Sequence, residues 1–394
     1  MAEPKLRFKR DDGSDYPEWG KKSFKDSFIA LNNNSFSRDM LNFDNGIVKN
    51  IHYGDILIKF GDICNIGKDI IPFVNSEYNT EKYDLLKDGD IILADTAEDE
   101  AVGKTIEIFN VRNNKVISGL HTIACRPITK YASKYLGYYM NSPSFHDQLR
   151  PFMQGIKVTS IGRKNISEVQ ICSPKVIDEQ QKIAVFLSAV DEVIAESEKE
   201  VTNLDTQKKS VMKKIFSQEI RFKRNDGMDF PEWKNKTLGD LEGKVSSGKD
   251  KNENGCVPLY GSMGPIGTCS EATHLGNKIL VARVGANAGA VRLVVEDCGV
   301  TDNTLIIKDT ESCDFFWLYY ALVEKDIGKM RFGGGQPLVT GTMLFTLEIE
   351  VPCLEEQKLV ADFLSDFDEA IAAAKKELSL WKQLKKALLQ QLFI

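Results

Sequence analysis

The sequence predicts an α+β fold: two similar α+β globules related by a pseudo-twofold axis and separated by a pair of long antiparallel helices that form a coiled coil. Three observations predict it. The stretch "LRFKRDDGSDYPEW" (Leu6–Trp19) returns 214 residues later as "IRFKRNDGMDFPEW" (Ile220–Trp233), with ten of fourteen positions identical. The forty residues Ile177–Phe216 align without a gap on Leu354–Phe393 at an offset of 177. Between these anchors lie short β-branched runs punctuated by Gly, Asn and Asp, the pattern of strands and turns.

Taken in chain order, the lead segment comes first, and Asp15, Pro17 and Trp19 read as structural, as do Asp229, Pro231 and Trp233 in the second copy. The first globule fills residues 1–175, with "DILIKF" and "KTIEIF" as strands and a short helix carrying Tyr138 and Tyr139. A spacer helix occupies 176–219. The second globule, 220–353, repeats the order with "KILVARVG", "VRLVV" and a helix carrying Tyr319 and Tyr320; the second spacer helix is 354–394. Weaker echoes match Asp90–Ala97 with Lys278–Gly285, and Gly119–Pro127 with Thr301–Asp309, which sets His121 opposite Asn303. The offset drifts from 214 to 177, so the second copy is shorter by about 37 residues in its middle.

The helices carry the clearest local signal. Phe367, Ile371, Ala374, Leu378, Trp381, Leu388 and Leu392 fall on a coiled-coil seam, matched in the first copy by Val190, Ile194, Ser197, Val201, Leu204, Val211 and Ile215. Neither stretch contains Pro or Gly. At ~1.5 Å per residue each could span ~55–60 Å. A helix with one apolar stripe must bury it, and pairing the two stripes does so. A dyad across that pair makes the helices antiparallel and brings the C-terminus close to the N-terminus. Glu179 and Glu356, in the first helical turns, suit the positive end of the helix dipole.

Composition narrows the class. The chain of 394 residues is 42% hydrophobic and 27% charged, normal for a soluble globular protein of two or three domains. No run approaches the ~18 apolar residues of a membrane span, and the N-terminus lacks the apolar region of a secretory signal. Its eight cysteines are spread with no CxxC pair, as expected of reduced thiols in a cytoplasmic protein. Net charge is −6 overall, and +1, −3, −3 and −1 over the four segments above. No segment is strongly basic, but nucleic-acid binding needs a basic face rather than a basic total.

A search for catalysis finds little. "GKVSSGKD" (Gly243–Asp250) has phosphate-loop spacing but ends in Asp250 where Ser or Thr should hold Mg²⁺, and it reads as a polar loop. The four histidines show no zinc spacing. No G-x-S-x-G elbow, dinucleotide fingerprint or Asn-Pro-Pro-aromatic motif occurs. A chain of this size without a catalytic constellation reads as a binder. Two similar but non-identical globules suit a two-part linear target, such as two DNA half-sites.

At this point the residues resemble the specificity (S) subunit of a Type I restriction-modification enzyme. The resemblance rests on the two lead segments, the helix entries "PKVIDEQQKIAVFLS" and "PCLEEQKLVADFLS", the forty-residue helices, and the exits "GIKVTSIGRKNI" and "GGGQPLVTGTMLFTLEIEVP", and it covers essentially the whole chain. It implies a non-catalytic subunit with two target recognition domains, each reading one half of a bipartite, asymmetric double-stranded DNA site. The helices would space them and dock two methyltransferase (modification) subunits, with restriction/translocase subunits joining. S-adenosylmethionine, ATP and Mg would belong to those partners, and no cofactor or metal to this chain.

Candidate DNA contacts in the first domain are Arg38, Lys59, Lys68, His121, Lys157, Thr159, Arg163 and Lys164. Those in the second are Lys249, Lys251, Tyr260, Ser262, Arg283, Asn303, Arg331 and Gln336, where Gln suits adenine and the cations suit phosphates. The competing bland reading makes each a solvated loop residue, or for His121 and Asn303 a satisfied core polar group. Phe186, Leu187, Phe363 and Leu364 lie outside the seam and are candidates for subunit docking or for packing under their own globule. The alternative function is a two-domain scaffold binding proteins or glycans without DNA recognition.

Overall fold

In the computed structural model, which describes residues 3–98, 100–155, 158–242, 245–308, 312–333 and 337–394, each lead segment forms the same tight turn. Gly13 N–H donates to the Arg10 carbonyl and Gly227 N–H to the Arg224 carbonyl, both at 2.9 Å. The two glycines sit at φ +83° and +82°, where a side chain would be strained. Asp12 and Asp226 brace the turns by accepting the N–H groups of Ser14 and Met228 at 2.9 and 3.0 Å.

The chain divides into two units, Met1–Ser197 with Glu377–Ile394, and Glu198–Lys376. Each contains the N-terminal half of one long helix and the C-terminal half of the other, packed antiparallel. The helices run Ile177–Phe216 and Leu354–Leu392. In the first unit the central sheet has the order Phe28–Ala30, Thr122–Pro127, Ile91–Ala94, Thr105–Phe109, Ile63–Asn65. In the second it is Val245–Ser247, Thr304–Lys308, Lys278–Ala282, Val291–Val294, the same order without the last strand. A second sheet in each unit is built on a parallel pair, Val48–Ile51 with Lys115–Ser118, and Val257–Gly261 with Gly299–Val300. A short antiparallel pair closes each globule at its base: Gly20–Ser23 with Gln170–Ser173, and Lys234–Thr237 with Glu348–Val351.

Side-chain alternation explains the central sheets. Ile91, Leu93 and Ile123 face the helix side, packing with Tyr135, Leu187 and Leu392, while Ile92, Ala94 and Ala124 join the opposite core with Ile51 and Ile56. In the second unit Ile279, Val281 and Ile307 face the helices and Leu280 and Ile306 face away.

Several polar contacts tie globule to helix, and they recur pair for pair. Arg7 forks onto Glu179 (2.8 and 3.3 Å) and Arg221 onto Glu356 (3.1 and 2.8 Å). Trp19 and Trp233 each donate to the same carboxylates at 3.1 Å. Glu179 and Glu356 are buried carboxylates, each paired with a part-buried arginine, so the expected dipole role is secondary to the ion pair. Gln180 accepts from Ala132 N–H (2.9 Å) and Gln357 from Asp314 N–H (2.7 Å). Tyr138 donates to Asp191 (2.8 Å) and Tyr320 to Asp368 (2.7 Å). Lys385 bonds Asp191 and Asp62, and Lys208 bonds Asp368.

Three local expectations change. "DILIKF" is not a strand: Tyr53–Ile58 is helical, started by the His52 ring, which accepts Gly54 N–H at 3.2 Å. Its Asp55 is buried between Arg38 and Lys59, a pairing that needs a helical turn between Asp55 and Lys59. Val245–Ser247, expected in a polar loop, is a strand on Thr304–Lys308; Gly243 and Lys244 of that motif lie outside the described residues. Arg163 and Lys164 begin a short helix, Arg163–Ser167, rather than continuing a loop.

Candidate nucleic-acid interface

The central strand of each unit ends at a matched place. Asp95 follows Ala94, and Arg283 follows Ala282. Asp95 N–H donates to the His121 carbonyl (3.1 Å), and Arg283 N–H to the Asn303 carbonyl (2.9 Å). The Asp95 carbonyl accepts Ile161 N–H and the Arg283 carbonyl accepts Val339 N–H, both at 2.8 Å. His121 and Asn303 are therefore structural equivalents, held against the end of the same strand.

Around this place in the first unit, polar groups gather. The His121 ring lies 3.4 Å from the Asp95 carboxylate and packs edge-on to Tyr53 at 5.2 Å. Tyr53 adjoins His52, which caps the helix containing Asp55. Arg38 and Lys59 bond Asp55 at 2.8 and 3.0 Å while remaining 45% and 42% exposed, so their charge is partly neutralised but still reachable. Burial and the Arg38 charge lower the His52 pKa to about 4, which keeps the ring neutral and able to accept at the helix start. Thr159 and Ser160 pair with Ala97 and Thr96, bringing that loop to the same edge. Arg163 reaches Asn33 at 2.7 Å, and Lys164 is exposed. Lys68 sits apart, in the turn after Ile63–Asn65. Lys157 lies outside the described residues.

In the second unit Arg283, Asn303 and the segment Leu338–Thr340 come together, since Leu338 bridges to Val284 and Phe332. Arg331 donates to the Ala286 carbonyl at 2.8 Å, on the loop that Arg283 opens. Lys249 and Lys251 are exposed beyond the strand Val245–Ser247, and Ser262 is half-buried in a hairpin turn. Gln336 lies outside the described residues. Tyr260 departs from the expectation of contact: it is buried, and its hydroxyl donates to Glu296 at 2.5 Å. Its partner in the first unit is Ile51, a core residue, as their shared parallel-strand registers require.

The docking candidates divide in two. Leu187 and Leu364 are fully buried in their own units, which removes them from any surface. Phe186 and Phe363 stay 37% and 36% exposed, edge-on to Phe8 and Phe222. Asp95 was absent from the residues singled out from sequence. The signal was present in the aligned "ILAD" and "LVAR", where an acid faces a base, but nothing in the alignment showed which of those positions emerges at a strand end. Among the described residues, no group of three His, Cys, Asp or Glu side chains is placed to hold a metal ion, and no helix is long and apolar enough to cross a membrane.

One scaffold is built twice, with many of its globule-to-helix contacts repeated and with different side chains at the matched strand ends. The chain belongs to the type I restriction modification DNA specificity domain family, whose model matches residues 18–204 and 231–380. As a specificity subunit it is a non-catalytic component of a type I restriction-modification system. It is 23% identical to the protein of Methanocaldococcus jannaschii described as type I restriction enzyme MjaX specificity subunit, over 98% of this chain and 95% of that protein. Its fold resembles the S subunit of a type I restriction-modification system from M. genitalium, with a TM-score of 0.57 and 16% identity over 99% of each chain. It also resembles a chain from a structural study of complex assembly and conformational transition of the type I R-M system, with a TM-score of 0.59 and 17% identity over 95% of this chain and 97% of that one.

Proposed function

We propose that this chain reads a bipartite, asymmetric double-stranded DNA sequence in the cytoplasm, one half with each unit, while scaffolding two modification subunits and the restriction subunits. The recognition domains are residues 1–175 and 220–353, and the long helices, 176–219 and 354–394, carry the docking surface, with Phe186 and Phe363 as its exposed aromatic residues. S-adenosylmethionine, ATP and Mg²⁺ serve the partner subunits, and this chain holds none of that chemistry.

The observation that carries the reading is the contrast between the two units. Residues tying globule to helix repeat in kind and distance, from Arg7 and Arg221 to Tyr138 and Tyr320. At the matched strand ends the side chains differ: Asp95 against Arg283, and His121 against Asn303. Phosphate contacts can be alike in both halves, whereas base contacts must differ where the half-sites differ.

The test is selection from random duplex DNA by the chain together with its modification subunits, at several salt concentrations. Enrichment of two fixed blocks separated by a fixed gap is expected. No enrichment at any salt concentration would sink the proposal in favour of a scaffold that binds proteins or glycans.

A further inference from the structure

We propose that Asp95 and Arg283 are matched base-reading residues, whose opposite charges make the two units demand different bases: cytosine in one half-site and guanine in the other. This rests on the DNA-reading function proposed above and adds which side chains carry the difference between its halves.

Position is the first argument. Each residue leaves the end of its unit's central strand, with its N–H and its carbonyl both bonded to neighbouring segments at 2.8–3.1 Å. Backbone so clamped on both sides delivers a side chain to a defined place, as recognition requires. The two places are equivalent, so the residues differ in chemistry and not in where they start.

The second argument is what surrounds each group. Asp95 accepts the Thr96 hydroxyl at 2.8 Å through the oxygen that also faces the His121 ring at 3.4 Å. Its other carboxylate oxygen has no partner among the described residues, and the side chain is 27% exposed. His121 is held at φ +53°, a conformation that favours glycine. In the second unit, the Arg283 guanidinium has no hydrogen-bond or ion-pair partner among the described residues, whereas those of Arg126, Arg163 and Arg331 are each engaged. An uncommitted guanidinium on a clamped backbone, beside the exposed Asn303, remains available to a ligand.

The third argument is the chemistry of base edges in the major groove. A carboxylate accepts from the cytosine N4 amino group and is repelled by the acceptor edge of guanine. A guanidinium donates two parallel bonds to guanine O6 and N7. Exchanging acid for base at one place is therefore the smallest change that reverses the demand on a G·C pair.

Methylome sequencing of cells carrying the chain with its partner subunits tests this. Wild type should show a two-block motif. Asp95→Asn should relax one cytosine position in one block, lowering discrimination there roughly tenfold or more, and leave the other block untouched. Arg283→Gln should do the same to a guanine position in the other block. If Asp95→Asn abolishes modification while melting as wild type does, Asp95→Arg must restore it at sites with guanine at that position, and failure to do so overturns the assignment. An unchanged motif in both variants, or relaxation in both blocks from either single change, also overturns it. Absence of any two-block motif in wild type would instead overturn the DNA-reading function, and the assignment with it.

Discussion

Glu107 shows how two copies of one scaffold reach the same result with different residues. It is buried on the strand Thr105–Phe109, and its carboxylate accepts Lys134 and Gly137 N–H (2.6 and 3.0 Å) at the start of the helix Tyr135–Asn141. In the other unit the strand register puts Leu293 in its place, and the helix Phe315–Glu324 is capped from within by Asp314, which accepts Trp317 N–H at 2.9 Å. Ala132 stands where Asp314 does, so the acid has moved from loop to strand. Burial raises the Glu107 pKa to about 7 against the pull of those N–H groups. Its folded pKa lies above its unfolded value, so its contribution is complete below the ordinary Glu range and is lost as pH rises through about 7. Thermal melts between pH 4 and 8 should show a downward slope that Glu107→Gln flattens; an unaltered slope would remove Glu107 from the account. The lead segments obey similar rules. Arg7, Asp12, Gly13 and Trp19 have their side chain or φ in use in both copies, whereas at Ser14 and Met228 the contact common to both turns is the backbone N–H alone.

At the scale of elements, each long helix is joined to its lead segment by a buried Arg–Glu fork that also takes the Trp indole. Removing the arginine leaves a buried carboxylate without its counter-charge, so Arg7→Ala and Arg221→Ala should each destabilise their own unit by about 3–5 kcal/mol. Replacing Arg7 and Glu179 together by Met and Leu should recover much of that, as chemical denaturation would show; equal losses for the single and double variants would mean the charges matter little. The helices themselves were legible in the sequence, because period and length are local properties. Their starts at Ile177 and Leu354 fall within a residue or two of expectation. The partner of Glu179 was not legible, since Arg7 lies 172 residues away and nothing local couples them. The helix at Tyr53–Ile58 was hidden too, since its Ile-Leu-Ile run imitates a strand until Arg38, 17 residues away, is seen to neutralise Asp55.

At the scale of the whole molecule, the repeat is closed in one copy by covalent bonds and in the other by a hydrogen bond. Ile220 N–H donates to the Lys214 carbonyl at 3.1 Å in the second unit, and Leu6 N–H to the Gln391 carbonyl at 3.0 Å in the first. These are the same contact under the offsets of 214 and 177. Ser217–Glu219 bridge the joint in one case, and in the other Leu6 and Gln391 meet across it. A circular permutant opened within Ser217–Glu219, with Ile394 joined to the start of the chain, should fold and melt close to wild type. An insoluble permutant would show that the two joints are not equivalent. By itself the sequence determined the repeat, the long helices, the pairing of His121 with Asn303 and the family, because each follows from periodicity or from likeness of one stretch to another. Only the tertiary structure decided which polar residues are free to meet a ligand. It buried Tyr260, Leu187 and Leu364, tied Arg38 and Lys59 to Asp55, and set Asp95 and Arg283 on matched strand ends. Exposure and partnership depend on residues far apart in the chain, and sequence pattern carries no record of those distances.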